Sequence, residues 1–249
     1  MSMRRRELLA TGTAVTAAAI AGCLGDDDSA DGYGPEQDSV PEERSIDTDT
    51  YEILEVGDVD VPLAPLEDVA YWYERREARF VDTRGSDQHE DLRITGSALS
   101  SAPDGVSSDP VEDWSTDDRI VTYCVCPHAL AGQRAASLID AGYENVYAFD
   151  EGLEAWVAQG YPVEGEQATQ SLTSYQVRGR SDPAYAGEYV HARTVDSDQS
   201  ELSTVEDDGS YELTLHFTGL GADSLLEIKA PDYTRELTLE EATDGVVTA

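Results

Sequence analysis

Basic residues are scarce in this sequence of 249 residues. It has 16 lysine and arginine residues against 52 aspartate and glutamate residues, with Lys229 as its single lysine, and its formal net charge is −36. A field of this sign repels phosphate backbones and anionic lipid surfaces, so nucleic acid is excluded as a partner. Because 40% of the residues are hydrophobic, we expect a folded protein whose carboxylate surface suits very high salt, rather than a disordered acidic chain.

The sequence also lacks an apolar run long enough to cross a bilayer. The candidate near the N-terminus has about 15 weakly apolar residues, short of the roughly 20 that a spanning helix needs. Arg5-Arg6-Glu7-Leu8-Leu9 resembles a twin-arginine export signal, and Ile20-Ala21-Gly22-Cys23 resembles a lipoprotein cleavage box. We therefore expect residues 1–22 to be a signal and Cys23 to carry a lipid that anchors an extracytoplasmic protein to the cell membrane.

Apolar side chains are nearly absent from residues 23–49, which consist mainly of Asp, Glu, Gly, Ser and Pro. Such a segment repels itself and stays extended. We predict a flexible acidic tether here, followed by a first domain over residues 50–166 and a second over residues 167–249.

Cysteine is rare, and its placement is informative. With Cys23 assigned to the lipid, Cys124 and Cys126 are the two remaining thiols. They follow a predicted strand, Ile120 to Tyr123, and precede a predicted helix over Gly132 to Ala141. A loop between a strand end and a helix start collects backbone N–H groups and the positive end of the helix dipole, which stabilise a thiolate or an oxyanion. We expect the chemistry of the protein to lie in this loop.

The flanking patterns predict a parallel α/β unit. Asn145 to Phe149 is a second short apolar strand, and Glu151 to Gln159 places Leu153, Trp156 and Val157 at helical spacing. Upstream, a helix is predicted over Pro65 to Arg79 and a strand over Arg79 to Asp82. Alternating strands and helices of this kind form a parallel sheet flanked by helices.

Several short motifs within this unit occur together in one known family. They are Tyr123-Cys124 at a strand end, Gly132-Gln133-Arg134 at a helix start, Gly152 followed by Trp156, the stretch VDTRG from Val81 to Gly85, and ITGSA from Ile94 to Ala98. In this order the motifs resemble the rhodanese family. The resemblance implies a sulfurtransferase that carries sulfur as a cysteine persulfide, taken from a small sulfur donor and passed to a thiol or cyanide, without a cofactor.

The resemblance also implies the roles of particular residues. Cys124 or Cys126 would be the nucleophile with Arg134 as the catalytic cation, and the substrate-binding residues would be His128, Gly132, Asp82 and Arg84. The family's usual nucleophile lies five residues before the arginine, a position that Ala129 occupies here. Register with Tyr123 favours Cys124, and proximity to His128 favours Cys126; both stay open.

Other interpretations of the same residues compete with this one. The domain could be an inactive binding module, because Ala129 stands at the nucleophile's position. Cys124, Cys126 and His128 could bind zinc or copper, or the two cysteines could form a strained redox disulfide. Asp82 and Arg84 could form a structural ion pair, with His89 solvated in a polar loop. A phosphatase is set aside, since it needs a cysteine where His128 stands.

After Gly165 short alternating runs replace the helical patterns. Turn signals separate these predicted strands, which are Leu172 to Arg178, Glu188 to Val195, Tyr211 to Phe217, Leu225 to Lys229 and Tyr233 to Leu239. The spacing predicts a small antiparallel β-sandwich. Its histidines, His191 and His216, fall within strand runs and are read as sheet residues. We expect an interaction or spacer module that offers a surface to a protein partner.

Overall fold

The computed structural model of the protein describes residues 31–125, 128–168 and 173–249. The predicted signal, the predicted lipid attachment residue Cys23 and the thiol Cys126 lie outside the described residues. Before residue 169, the described chain contains four α-helices and eight strands. The helices are α1 (Leu66–Glu74), α2 (Ser86–Asp91), α3 (Ala129–Asp140) and α4 (Gly152–Ala158), and the strands are β1 (Glu52–Val56), β2 (Val59–Ala64), β3 (Arg79–Asp82), β4 (Arg93–Ile94), β5 (Ala98–Leu99), β6 (Arg119–Tyr123), β7 (Asn145–Phe149) and β8 (Val163–Glu164).

Six of these strands form one sheet in the order β1-β2-β7-β6-β3-β5. β1 and β2 form an antiparallel hairpin, and every other pairing in the sheet is parallel. Successive side chains of β3 lie on opposite faces of the sheet, because Phe80 packs in one hydrophobic cluster and Val81 packs in the other. A sheet buried on both faces needs such continuous apolar strands. The predicted parallel sheet flanked by helices is confirmed.

The two faces of the sheet have different cores. On one face α1 and α4 contribute an aromatic cluster, in which the rings of Tyr73 and Trp156 meet edge to face at 4.9 Å. The Trp156 indole N–H also donates to the Pro162 carbonyl at 3.0 Å. On the other face α3 packs small and aliphatic side chains such as Leu130 and Ala135 against the strands. The small residues of α3 bring its backbone close to the sheet, so the helix start is held firmly.

Two predicted helix boundaries differ from the structure. α1 ends at Glu74 because Arg76 adopts a left-handed backbone (φ 54°) and the Glu77 N–H returns to the Trp72 carbonyl, as in a helix-terminating motif. α3 begins at Ala129, three residues before the predicted start at Gly132. The helix therefore includes Ala129 to Ala131, which the sequence places in the loop.

Part of the segment predicted to be a flexible tether contacts the first domain. The Gly32 carbonyl accepts a hydrogen bond from the Phe80 N–H at 2.6 Å, and the Arg79 guanidinium lies 4.5 Å from the Tyr33 ring centroid. A Cβ atom at Gly34 would lie 2.5 Å from the Tyr73 ring, so the chain passes close to α1 there. The described part of this segment is thus packed along the domain, with backbone and ring contacts that its polar composition does not reveal.

The C-terminal part of the chain is a β-sandwich. Its elements are β9 (Tyr175–Arg180), β10 (Tyr189–Thr194), β11 (Ser200–Thr204), β12 (Ser210–Leu215), β13 (Leu225–Ala230), β14 (Tyr233–Thr238), α5 (Leu239–Asp244) and β15 (Val246–Val247). One sheet has the order β11-β10-β13-β14 and the other β12-β9-β15. The inward residues of both share one apolar cluster. The predicted C-terminal antiparallel sheets are confirmed.

Three features of the sandwich depart from the prediction. β11 was not anticipated, because Ser200 to Thr204 is largely polar. β15 pairs with β9 in parallel. The expectation that helices end at Gly165 is wrong, since α5 follows β14. Its signal is local: Thr238 and Glu241 form a reciprocal capping box, the Ser/Thr-x-x-Glu pattern of a helix start.

The two domains meet at α2 and α3. A Cβ atom at Gly85 would lie 1.5 Å from the Asp198 carbonyl oxygen. The backbones of the two domains are therefore in direct contact at this point. The Gln88 side chain accepts from the Ser200 N–H at 3.2 Å. Leu202 of β11 is buried in the cluster beneath α3. The sandwich is therefore docked beside the edge of the sheet at which the cysteine loop begins.

Candidate functional site

Three strand ends bring polar and thiol side chains to one edge of the sheet. Asp82 ends β3, Cys124 follows β6 directly, and Asp150 follows β7 directly. Because β3, β6 and β7 are parallel neighbours, these residues lie at the same carboxyl edge. This edge is where open α/β sheets place their ligand sites.

Cys124 is buried at the start of the loop. Its exposed fraction is 1%, and it packs in the cluster between the sheet and α3 with Leu130, Ala131 and Ala135. Val125 points to the opposite cluster and is also buried. A thiol in this position is out of reach of a dissolved sulfur donor. The structure therefore places one of the two predicted nucleophiles in the core, whereas the other, Cys126, is outside the described residues.

The helix that contains the Gly-x-x-x-Trp motif donates hydrogen bonds to the start of this loop. The Leu153 N–H of α4 donates to the Cys124 carbonyl at 2.9 Å, and the Glu154 N–H donates to the Val125 carbonyl at 3.3 Å. Gly152 has a φ of 71°, and a Cβ atom there would lie 2.6 Å from the Val125 oxygen. Only glycine tolerates both the left-handed backbone and this approach. The first turn of α4 thereby satisfies the carbonyl groups of the loop.

His128 stands where the described chain resumes, immediately before α3. Its ring Nε2 lies 2.6 Å from Oδ1 of Asp150, and both side chains are about one-third exposed. The backbone of His128 has a φ of 80°, a conformation that costs free energy in a residue with a Cβ. A histidine held by a carboxylate in this way has a defined orientation and one basic nitrogen that can take a proton. The sequence shows no local signal for this pair, because the partners are 22 positions apart.

Gly132 does not contribute an open backbone N–H to the loop. Its N–H donates to the His128 carbonyl within α3, and a Cβ atom there would lie 2.5 Å from a methyl carbon of Leu54 on β1. The substrate-binding role of Gly132 stays a prediction. Gly132 allows the β1–β2 hairpin to approach the helix, and this packing explains why glycine suits the position.

Arg134 is bonded to the segment that follows β5. Its guanidinium donates to Ser100 Oγ at 2.8 Å and to Asp109 Oδ2 at 3.1 Å, and both ionised side chains are buried. Burial lowers the pKa of Arg134, an effect that the nearby Asp109 carboxylate opposes. Because α3 starts early, Arg134 lies on its second turn, where it pairs with Asp109. Its role as a catalytic cation stays a prediction.

Asp82 and Arg84 form a buried ion pair. Arg84 donates to both carboxylate oxygens of Asp82, at 2.9 and 2.6 Å, and the two side chains are 0% and 2% exposed. The burial and mutual pairing of these groups favour the structural interpretation. Their substrate-binding role stays a prediction. The prediction of a solvated His89 is wrong, because His89 lies in α2 and its Nδ1 is 3.1 Å from Asp82 Oδ2.

The pKa values of this buried cluster differ from their ordinary values. Burial alone would raise the pKa of Asp82, but the charge and hydrogen bonds of Arg84, with those of His89, outweigh it and hold the pKa well below its usual range. Burial and the Asp82 charge raise the pKa of Tyr123 well above its usual value. Tyr123 therefore stays protonated and can donate to Asp82, 3.3 Å away. The cluster holds the ends of β3 and β6 together.

Two further predicted features concern metals and membranes. Among residues 31–125, 128–168 and 173–249, no group of three or more His, Cys, Asp or Glu side chains is arranged to hold a metal ion. The alternative of a metal held by Cys124, Cys126 and His128 includes a residue outside that range and stays a prediction. No helix within the same described residues is long and apolar enough to cross a membrane.

The sheet order, the buried parallel strands and the cysteine loop that joins β6 to α3 define an α/β domain with its candidate site at the carboxyl edge. Residues 66–159 match the family model described as the rhodanese-like domain. The chain therefore contains a rhodanese-like domain, as the motifs from Val81 to Trp156 predict.

The solved structures that match the chain include proteins from several bacteria. One is a protein from Bacillus halodurans, 22% identical with a TM-score of 0.40 over 45% of this chain and 82% of that one. A rhodanese-like domain from Anabaena sp. is 21% identical, with a TM-score of 0.38 over 45% of this chain and 85% of the other. A thiosulfate sulfurtransferase from Pseudomonas aeruginosa is 21% identical, with a TM-score of 0.36 over 43% of this chain and 21% of that chain. No curated protein matches the chain.

Proposed function

We propose that the protein is an exported, lipid-anchored sulfurtransferase in which Cys126 carries sulfur as a persulfide. The observation that carries the proposal is the His128–Asp150 pair, whose nearest atoms are 2.6 Å apart. His128 is two residues after Cys126 in the chain and immediately precedes α3. A positioned base beside a thiol is the arrangement that activates a cysteine nucleophile. Cys124 is buried, so Cys126 is the thiol that this base would serve.

The proposed reaction has two steps. His128 takes the proton of the Cys126 thiol, and the thiolate attacks the outer sulfur of a donor such as thiosulfate. The sulfur–sulfur bond of the donor breaks, and sulfite leaves with the electron pair. A thiolate or cyanide then attacks the outer sulfur of the persulfide, and Cys126 leaves as a thiolate. No external oxidant or reductant is consumed. Because α3 begins three residues after Cys126 in the chain, the positive end of its dipole would favour negative charge on the sulfur.

The direct test is sulfur loading of the full mature chain in molar salt. Incubation with excess thiosulfate should add one sulfur, detected by intact mass, and later addition of cyanide should remove it with stoichiometric formation of thiocyanate. A protein that neither gains the sulfur nor forms thiocyanate would contradict the proposal.

Replacing His128 with glutamine should slow sulfur loading by about 10²-fold or more, because a positioned general base contributes that much to proton transfer. The rate of the variant should then rise with pH as the uncatalysed thiolate forms. Asp150→Asn should give a smaller loss, since the histidine remains but loses its orientation. Stopped-flow loading rates across pH measure both effects. His191→Gln, at an exposed position of β10, is the control. Equal loading rates for His128→Gln and the parent would show that His128 is not the general base.

A second candidate function is a binding module without catalysis. It is favoured by the two groups that the structure takes away from the loop, the Gly132 N–H bonded within α3 and Arg134 paired with Asp109. Without them, fewer donors surround a bound oxyanion or persulfide. Alkylation of Cys126 separates the candidates: ligand or partner binding that survives alkylation, in a protein that never loads sulfur, would favour the binding module.

The proposed location follows from the N-terminal motifs around Arg5-Arg6 and Cys23. Cys23→Ser should leave folding unchanged and move the protein from the membrane fraction to the soluble or secreted fraction, because the lipid has lost its attachment atom. Fractionation with immunoblotting measures this shift, and circular dichroism provides the folding control. Serine-substituted protein that still pellets with membranes after a high-salt wash would show that the anchor lies elsewhere.

A further inference from the structure

A cleft of about 900 Å³ lies between the two domains and reaches His128 and Ala129 at the start of α3. The β1–β2 hairpin forms one wall and the sandwich forms the other. Its volume is within the range of small-molecule sites, roughly 300–1,000 Å³. Its lining includes Leu54, Glu55, His128, Glu188, Tyr189 and Glu212.

Direct contacts with α3 hold the sandwich wall of this cleft. The Tyr189 hydroxyl and the Gln133 side chain are hydrogen-bonded, and burial raises the pKa of Tyr189, so the hydroxyl stays neutral. Leu202 is anchored in the cluster under the same helix. Contacts between the two domains therefore hold the walls of the cleft in place. The C-terminal domain supplies more than half of the described lining residues.

The charged side chains among the described lining residues of the cleft are acidic. Glu55, Glu188 and Glu212 present exposed carboxylates, and none of the described lining residues is lysine or arginine. Glu212 has a cationic neighbour, Arg178, at 3.7 Å, but both side chains are more than half exposed and the pair is correspondingly weak. Leu54 and Tyr189 add apolar surface between the carboxylates. Such a lining favours a small ligand with a short apolar body and a cationic end.

We propose that this cleft binds the sulfur acceptor and that the acceptor is a low-molecular-mass thiol carrying an ammonium group. The proposal rests on the proposed sulfur transfer. In this cleft Glu55 and Glu188 would attract the ammonium group of a short aminothiol, and His128, which lines the same cleft, would take the thiol proton. The acceptor thiolate then attacks the outer sulfur of the Cys126 persulfide, the sulfur–sulfur bond breaks, Cys126 leaves as a thiolate, and the acceptor leaves as a persulfide. The C-terminal domain thus selects the acceptor.

The preference for a cationic acceptor can be tested by measuring how fast different thiols remove the sulfur from the persulfide-loaded protein. Protein carrying the persulfide, separated from donor, is mixed with cysteamine, 2-mercaptoethanol or 3-mercaptopropionate at equal thiolate concentrations, at the lowest salt that keeps it folded. We expect cysteamine to react roughly tenfold faster than 3-mercaptopropionate, since the carboxylates attract the first and repel the second. The double variant Glu55→Gln/Glu188→Gln should reduce this ratio at least about threefold. Glu240→Gln, an exposed glutamate on α5, should keep the parent ratio.

A binding measurement decides the inference even if loading fails. S-methylcysteamine and 3-(methylthio)propionate are matched, unreactive analogues, and calorimetry on the unloaded full chain compares them. The cationic analogue should bind more tightly to the parent, and the double glutamine variant should lose that preference. A failure to load sulfur would overturn the proposed function alone. Equal binding of the two analogues, or a preference that survives in the double variant, would overturn the acceptor site.

Discussion

Replacing Cys126 with serine is expected to abolish sulfur loading, with a loss of at least about 10³-fold in rate, because the nucleophile that carries the sulfur is removed. Cys124→Ala should retain most of the activity. Its side chain lies in the core beneath α3 and is 1% exposed, so a donor cannot reach it. Loading measured by intact mass, with thiocyanate formation as the second readout, separates the two cysteines.

The alanine variant requires a folding control, since Cys124 is part of the core. We expect a cost of about 1 kcal/mol in the free energy of unfolding from the small cavity that the missing sulfur leaves. Denaturant unfolding of both variants measures it. If Cys124→Ala is folded and inactive while Cys126→Ser still loads sulfur, Cys124 is the nucleophile and the loop must open to expose it.

Replacing Asp82 with asparagine is expected to destabilise the protein by about 3–5 kcal/mol, because Arg84 would be left as a buried charge without its carboxylate. In a chain of this size the loss corresponds to a melting temperature lower by roughly 10 °C. The geometry supports the large value: Arg84 contacts both carboxylate oxygens, and His89 and Tyr123 also contact Asp82. Thermal unfolding at fixed molar salt measures the change, with Asp223→Asn at an exposed loop position as the matched control.

The same carboxylate makes a prediction about pH. Its pKa in the folded protein lies below the ordinary value of about 4 for an unfolded chain, so folding favours the ionised form. The stabilisation is therefore complete at neutral pH and is lost as the pH falls below about 4 and through the folded pKa. The stability difference between the parent and Asp82→Asn should be constant from about pH 5 to pH 8 and shrink below about pH 4. A difference that grows in acid would contradict this assignment.

Much of the rhodanese-like fold could be predicted from the sequence, because the signals are local. Strands such as Asn145–Phe149 are continuous apolar runs, since both faces of a parallel sheet are buried. Gly152 and Trp156 mark α4 because one must allow a close backbone approach and the other must fill a core position. Turn residues likewise separate the strands of the sandwich. The polar strand β11 escaped prediction, because its partners rather than its composition make it a strand.

The candidate site depended on contacts that no local pattern contains. The sequence by itself determined which loop holds two thiols and a histidine, but it left Cys124 and Cys126 equivalent. Tertiary structure decided that Cys124 packs under α3, that Arg134 pairs with Asp109, and that His128 meets Asp150. Each result follows from a partner on a different strand end or loop. Periodicity reports which face of an element is apolar, whereas the folded sheet sets which strand ends lie side by side and which charges are buried together.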